Sequence, residues 1–188
     1  VFAVDLDGDG DEDVLAALGV GIVWYENDGQ GNFQVPRTIA TINTSHDVYA
    51  LDVDGDGDMD VLSAAGGDSD KVSWHENTGH EQGENSADEF THHIVASNAD
   101  GAHSVFATDL DNDGDVDILS AYYNDSKMVW HENNGTDRGE GSASIFTSHD
   151  IVSTGINPTV VQAADLDDDG DVDVLAVSIE SAEENAKV

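Results

Sequence analysis

The sequence predicts an all-β fold of β-propeller blades, each a four-stranded antiparallel sheet, with about three and a half such units present. Three observations carry that prediction. An aspartate-rich loop recurs at 5–13, 52–60, 109–117 and 165–173, with spacings of 47, 57 and 56 residues. A Trp-x-Glu-Asn motif recurs between the loops, at Trp24–Asn27, Trp74–Asn77 and Trp130–Asn133. Short runs of β-branched and aromatic residues, bounded by Gly, Asn and Asp, fill the rest of each period.

Each period offers four strands in a fixed order. The first enters the acidic loop (Val48 to Leu51, Val105 to Thr108), and the second leaves it as an apolar run (Val14 to Ala17, Ile118 to Ala121). The third holds the Trp. The fourth follows Phe33, Phe90 or Phe146 and ends near Ile39, Ile94 or Ile151. The exit strands are apolar on both faces, which predicts sheets covered on both sides. Ala3, Ala50, Ala107 and Ala163 share one place in the entry strands, where a small side chain lets neighbouring sheets approach. A β-roll of calcium-binding nonapeptides needs a much shorter repeat. Polar segments at 79–89 and 135–144 read as loops between third and fourth strands. Only the tail, 179–188, leaves a helical period open. The chain is one repeat array over 1–188, with units at about 1–44, 45–101, 102–157 and a partial 158–188.

Of the 188 residues, 41 are Asp or Glu and 5 are Lys or Arg, a formal net charge of −36. Such a chain is repelled by nucleic acid and by anionic membrane surfaces. A solvating or halophilic surface would also be acidic, but here the acids concentrate in four short clusters, for which divalent cations are the natural counter-charge. There is no Cys, so disulfides and thiolate metal sites are excluded. No apolar run reaches eighteen residues, so no membrane insertion is expected. Val1 to Val4 already reads as strand, and the chain is expected to begin inside a repeat.

The acidic loop has the donor set of a calcium site. In the second copy, Asp52, Asp54 and Asp56 lie at alternate places of a turning chain, and Gly57 permits the positive φ of a sharp turn. Asp58 is placed to offer its backbone carbonyl, and Asp60 closes the cage. Oxygen-only, anionic donors numbering six or seven select Ca²⁺ over octahedral Mg²⁺. The equivalent residues are Asp5, Asp7, Asp9, Asp11 and Asp13; Asp109, Asp111, Asp113, Asp115 and Asp117; and Asp165, Asp167, Asp169, Asp171 and Asp173. About four Ca²⁺ ions are therefore expected. The side chains of Asp11, Asp58, Asp115 and Asp171 are the ones that can turn to solvent. An EF-hand would need Glu at the twelfth place and helical flanks, but Ala16, Ser63, Ser120 and Ala176 stand there.

The loop, the Trp-x-Glu-Asn motif and the Gly-rich turn into a Phe-led strand together resemble the FG-GAP/VCBS repeat, the calcium-binding propeller repeat of integrin α subunits and many secreted proteins. The resemblance covers nearly the whole chain. It implies a seven-bladed propeller with Ca²⁺ in loops between strands of one blade. It also implies side chains from the first, third, fifth and ninth positions and a carbonyl from the seventh. Three and a half units do not close such a ring, so either the chain is part of a longer one or another copy supplies the missing blades, and an open arc would expose blade faces that invite self-association.

Other candidates are weaker. His75 and His131 stand where the first unit has Tyr25, and His46 and His103 lie six residues before a loop Asp, all as repeated structural places. The pair His92–His93 is the one candidate for a transition metal. Trp24, Trp74 and Trp130 read as packing residues, with sugar stacking as the alternative. Asn43, Asn124 and Asn134 open N-x-S/T sequons and are possible glycosylation sites in a secreted protein. Arg37, Lys71, Lys127 and Arg138 are too scattered to suggest catalysis.

The function expected is a non-enzymatic, extracellular binding or adhesion scaffold for protein or glycan. The alternatives are a structural subunit of a surface appendage or glycosylated filament, made of copies of this chain, and a propeller-based polysaccharide lyase.

Overall fold

A computed structural model describes residues 1–79, 90–135, 146–153 and 157–179. Its regular structure there is β throughout. Strands β1 (Phe2–Val4), β2 (Asp13–Leu18), β3 (Gly21–Tyr25) and β4 (Arg37–Ala40) form one antiparallel sheet in chain order. Strands β5 (Ser45–Leu51), β6 (Asp60–Ala65), β7 (Lys71–Asn77) and β8 (Phe90–Ala96) form a second. Strands β9 (Ala102–Thr108), β10 (Asp117–Tyr122), β11 (Lys127–Asn133) and β12 (Phe146–Ser153) form a third, and β13 (Asn157–Ala164) pairs with β14 (Asp173–Ile179). These are propeller blades, with each acidic loop joining the first two strands of its sheet. The segments 80–89, 136–144 and 180–188, which the sequence reads as loops and an ambiguous tail, lie outside the described residues.

The core lies between blades rather than within one. Leu15, Ile22, Trp24 and Ala40 of the first sheet pack with Val48, Ala50 and Val61 of the second. Leu62, Ala64, Val72 and Trp74 of the second pack with Val105, Ala107 and Ile118 of the third. Leu119 and Ala121 then meet Val161 of the fourth unit. All six residues of β6 and of β10 are buried, as two-sided apolar runs require. The same run in β14 is mostly exposed, because no sheet among the described residues covers its outer face. Trp130 is correspondingly less buried than Trp24 and Trp74.

Small residues set the blade spacing. Ala50 and Ala107 are buried between sheets, as the entry-strand pattern predicts. Between the second and third blades, a Cβ on Gly66 would stand 3.2 Å from the Gly101 Cα. Polar links add orientation: the Asp47 carboxylate accepts from Ser104 Oγ at 2.9 Å and from the Val105 N–H at 3.1 Å, tying the second blade to the third.

Candidate metal centres

The four acidic loops share one hydrogen-bond plan. The first Asp accepts from the N–H of the sixth-place glycine: Gly10 to Asp5 at 3.0 Å, Gly57 to Asp52 at 3.1 Å, Gly114 to Asp109 at 3.1 Å and Gly170 to Asp165 at 3.0 Å. Those glycines hold φ between +96° and +103°, the left-handed turn expected of them. The fifth Asp accepts from the seventh N–H, as in Asp58 to Asp56 at 2.8 Å. The ninth Asp accepts from the second-place N–H, as in Val53 to Asp60 at 3.1 Å. Its other oxygen accepts from the Asn of the Trp-x-Glu-Asn motif: Asn27 to Asp13, Asn77 to Asp60 and Asn133 to Asp117, at 2.7–2.8 Å. The side-chain amide of that Asn donates back to the eighth-place carbonyl, on Glu12, Met59 or Val116. The motif therefore clamps the acidic turn to the third strand.

Carboxylate oxygens converge in each loop. One oxygen from each of Asp52, Asp54 and Asp60 lies within 4.8 Å of the others, and the same holds for Asp109, Asp111 and Asp117, and for Asp165, Asp167 and Asp173. In the first loop the three are Asp5, Asp7 and Asp9, so Asp13 stands outside that grouping. Asp56, Asp113 and Asp169 likewise stand outside theirs. Asp11 and Asp115 do not face the cluster: their carboxylates lie against Gly29 and Gly135, where a Cβ would come within 2.1 Å and 2.7 Å of Oδ2.

The electrostatics ask for a positive partner. Burial, then the neighbouring Asp9, pushes the Asp7 carboxyl up to about 6, and burial with Asp56 does the same to Asp54. Burial pushes Asp60 up to about 8 against the backbone N–H groups that lower it. Asp111 and Asp117 are raised too, each chiefly by burial. Oδ1 of Asp5 is buried with no hydrogen-bond partner, an anionic oxygen left for something else to satisfy.

Three overlapping stretches, 5–63, 52–120 and 109–176, each match the model of the FG-GAP-like repeat. The chain belongs to the FG-GAP-like repeat family. A solved lectin of Agrocybe aegerita, described by its specific recognition of non-reducing terminal N-acetylglucosamine, shares the fold at a TM-score of 0.60 and 20% identity. The match covers 93% of this chain and 46% of the lectin, so this chain spans less than half the lectin's length. No curated protein matches the sequence.

In this FG-GAP-like chain the four clusters, one per repeat, could hold metal ions, and their all-oxygen donors are compatible with Ca²⁺. The orphaned Asp5 oxygen and the raised carboxyls fit that role. The recurrence of the Glu in the Trp-x-Glu-Asn motif argued in the sequence against a catalytic role, but its place beside the acidic loop was not foreseen. Glu26, Glu76 and Glu132 add charge beside Asp7, Asp54 and Asp111. Each also holds a cationic or imidazole side chain from the fourth strand: Arg37 at 2.7 Å, His93 at 2.6 Å and His149 at 2.7 Å. Those same groups lie over the motif's Trp, with Arg37 4.8 Å from the Trp24 ring, His93 stacked on Trp74 at 4.5 Å and His149 tilted over Trp130 at 4.9 Å. Register was the available signal, since the three partners sit opposite Trp on adjacent strands.

The other expectations are placed as follows. His46 and His103 stack at 4.6 Å on the first strands of adjacent blades, in a cleft of about 360 Å³ that also holds Phe2, Tyr49 and Phe106. His92 and His93 separate: His92 bonds His75 while His93 stacks on Trp74, so the pair forms no chelate. Alternation along a strand sends neighbours to opposite faces. Trp24 and Trp74 are buried, which excludes them from stacking on a sugar. The Asn124 amide donates to Asp100, that of Asn134 to Thr147 Oγ1, and Asn43 is exposed.

Proposed function

We propose that this chain is part of a calcium-stabilised β-propeller that recognises glycans outside the cell without catalysing a reaction. The observation that carries the reading is the repetition itself. A convergence of three carboxylates recurs in the acidic loop of all four units, which suits a structural ion per blade better than one catalytic metal. A catalytic centre needs an unrepeated set of groups, whereas these clusters recur with their hydrogen bonds. The lectin that shares this fold supports the glycan part. Millimolar extracellular calcium suits exposed carboxylate loops, which supports the location.

The ion would act through stability and rigidity. Each Ca²⁺ would offset the mutual repulsion of three or more carboxylates, and binding free energy then becomes folding free energy. The residues that would hold it are the first, third and ninth Asp of loops two to four, and Asp5, Asp7 and Asp9 of the first, whose oxygens converge. The test is a glycan array probed in calcium and again in chelator. Calcium-dependent retention of particular glycans supports the reading. Absence of retention in calcium, with the fold intact by circular dichroism, overturns it.

A further inference from the structure

A cleft of about 390 Å³ opens between the first and second blades, bounded by Ala40 to Asn43 on one side and by β7 and β8 on the other. Its polar wall follows from strand alternation. Lys71, Ser73 and His75 share one face of β7, and His92 and Ile94 stand opposite His75 and Ser73 on β8. Ile42, Ala40 and Ile94 supply the apolar part.

Comparison with the third blade shows what is unusual here. There Lys127 occupies the place of Lys71 and is held by Asp150 at 3.0 Å. Asp150 pairs with Val129 as Ile94 pairs with Ser73, so the second blade has isoleucine where the third has the neutralising carboxylate. Lys71 has no acidic partner among the described residues. The other described cations, Arg37 and Lys127, both hold a carboxylate. In a chain of net charge −36, this cleft gathers an uncommitted cation.

His92 adds a donor. Its Nδ1 lies 2.8 Å from Nδ1 of the buried His75, whose Nε2 lies 2.9 Å from Ser63 Oγ. Burial, then neighbouring histidines, lowers the pKa of both rings, so both are neutral near pH 7. A chain of neutral imidazoles can run in either direction. An anionic oxygen in the cleft selects the direction in which Ser63 donates to His75, His75 donates to His92, and His92 Nε2–H points to the ligand. The third blade has Ser148 in place of His92, bonded to His131 at 2.8 Å, and so lacks this donor.

We propose that this cleft binds a carboxylate-bearing sugar, with Lys71 and His92 holding the carboxylate and the hydroxyls of Ser69 and Ser73 facing the ring hydroxyls. The volume suits one sugar residue, and mixed polar and apolar walls are usual for such sites. That the ligand is a sugar rests on the glycan reading above; the carboxylate rests on this cleft alone.

The test uses the whole chain in calcium, titrated calorimetrically with methyl glucuronide, its methyl ester and methyl glucoside. The glucuronide is expected to bind about tenfold or more tightly than either neutral sugar, the loss of one charge-assisted contact. Ile94→Asp rebuilds the ion pair of the third blade at a position that is 61% exposed, so the fold should tolerate it, and it should reduce glucuronide affinity about tenfold. His92→Ser should weaken the same ligand. Equal affinity for acid and ester, no saturable glucuronide binding, or an Ile94→Asp variant as tight as the parent would each overturn the site. Neutral glycans retained on the array while the glucuronide fails would remove this inference and leave the proposed function standing.

Discussion

The backbone N–H of Asn77 donates to Oδ1 of Asp60 at 2.7 Å, while Oδ2 of the same carboxylate accepts from Val53 at 3.1 Å. One buried side chain thus closes the acidic turn and fastens it to the third strand. Asp60→Ala leaves two buried N–H groups without acceptors, each costing about 1–3 kcal/mol. Urea unfolding in calcium should show a loss of about 3 kcal/mol or more. Asp56→Ala, which removes an exposed turn acceptor, should cost less. Equal losses would mean that the clamp is not what holds the loop.

Removing calcium should lower the melting temperature. At a free concentration a hundredfold above Kd, each ion bound only by the native chain contributes about 2.7 kcal/mol. Thermal melting in calcium and in chelator reads the effect directly. An unchanged midpoint would sink the proposed structural role of the ion.

Acid should destabilise the protein through two buried imidazoles. Burial, then His92, pushes His75 down to about 3; burial, then His149, pushes His131 down to about 4. A lowered histidine pKa contributes stability that is present above the unfolded value near 6.5 and is lost as pH falls toward the folded one. Each site should lose about 2 kcal/mol by pH 5. Carboxylates titrate over the same range, so the informative comparison is with the His75→Gln/His131→Gln chain. The stability gap between the two chains should narrow between pH 7 and pH 5.

Two glycines separate conformational strain from steric conflict. Gly57 has φ +103° and open space around a new Cβ, whereas Gly101 has φ +69° and the Asn124 backbone 2.8 Å away. Gly57→Ala should cost about 1–2 kcal/mol from backbone strain, and Gly101→Ala more, because the β10–β11 turn of the third blade must also shift. Urea midpoints of the two variants in calcium provide the check.

His93 and Arg37 occupy equivalent places over Trp and against Glu. His93→Arg should therefore keep the melting temperature within a few degrees, while His93→Ala should lower stability by about 1 kcal/mol through loss of the stacked, charge-assisted contact. Thermal melts of both variants decide it.

The period of the chain, the strand order within each unit and the glycine at each sixth loop position were legible in the sequence. These follow from local chemistry: alternation marks a strand, and a sharp acidic turn demands a residue that tolerates positive φ. Which carboxylates converge was only half legible. Asp13 and Asp60 hold the same motif position, yet of these two only Asp60 joins a three-carboxylate grouping, and spacing alone does not distinguish them. The partners of the acidic turns were less visible still. Asn77 and Glu76 lie 17 and 16 residues beyond Asp60, and only strand pairing brings them to it. The uncommitted charge of Lys71 depends on Ile94 standing where the third blade places Asp150, a comparison that has meaning only once the register is known. Composition and spacing thus determined the repeat and its clusters of carboxylates, because both arise within one loop. The tertiary structure decided what surrounds each loop and each cation, because those neighbours come from other strands and other blades.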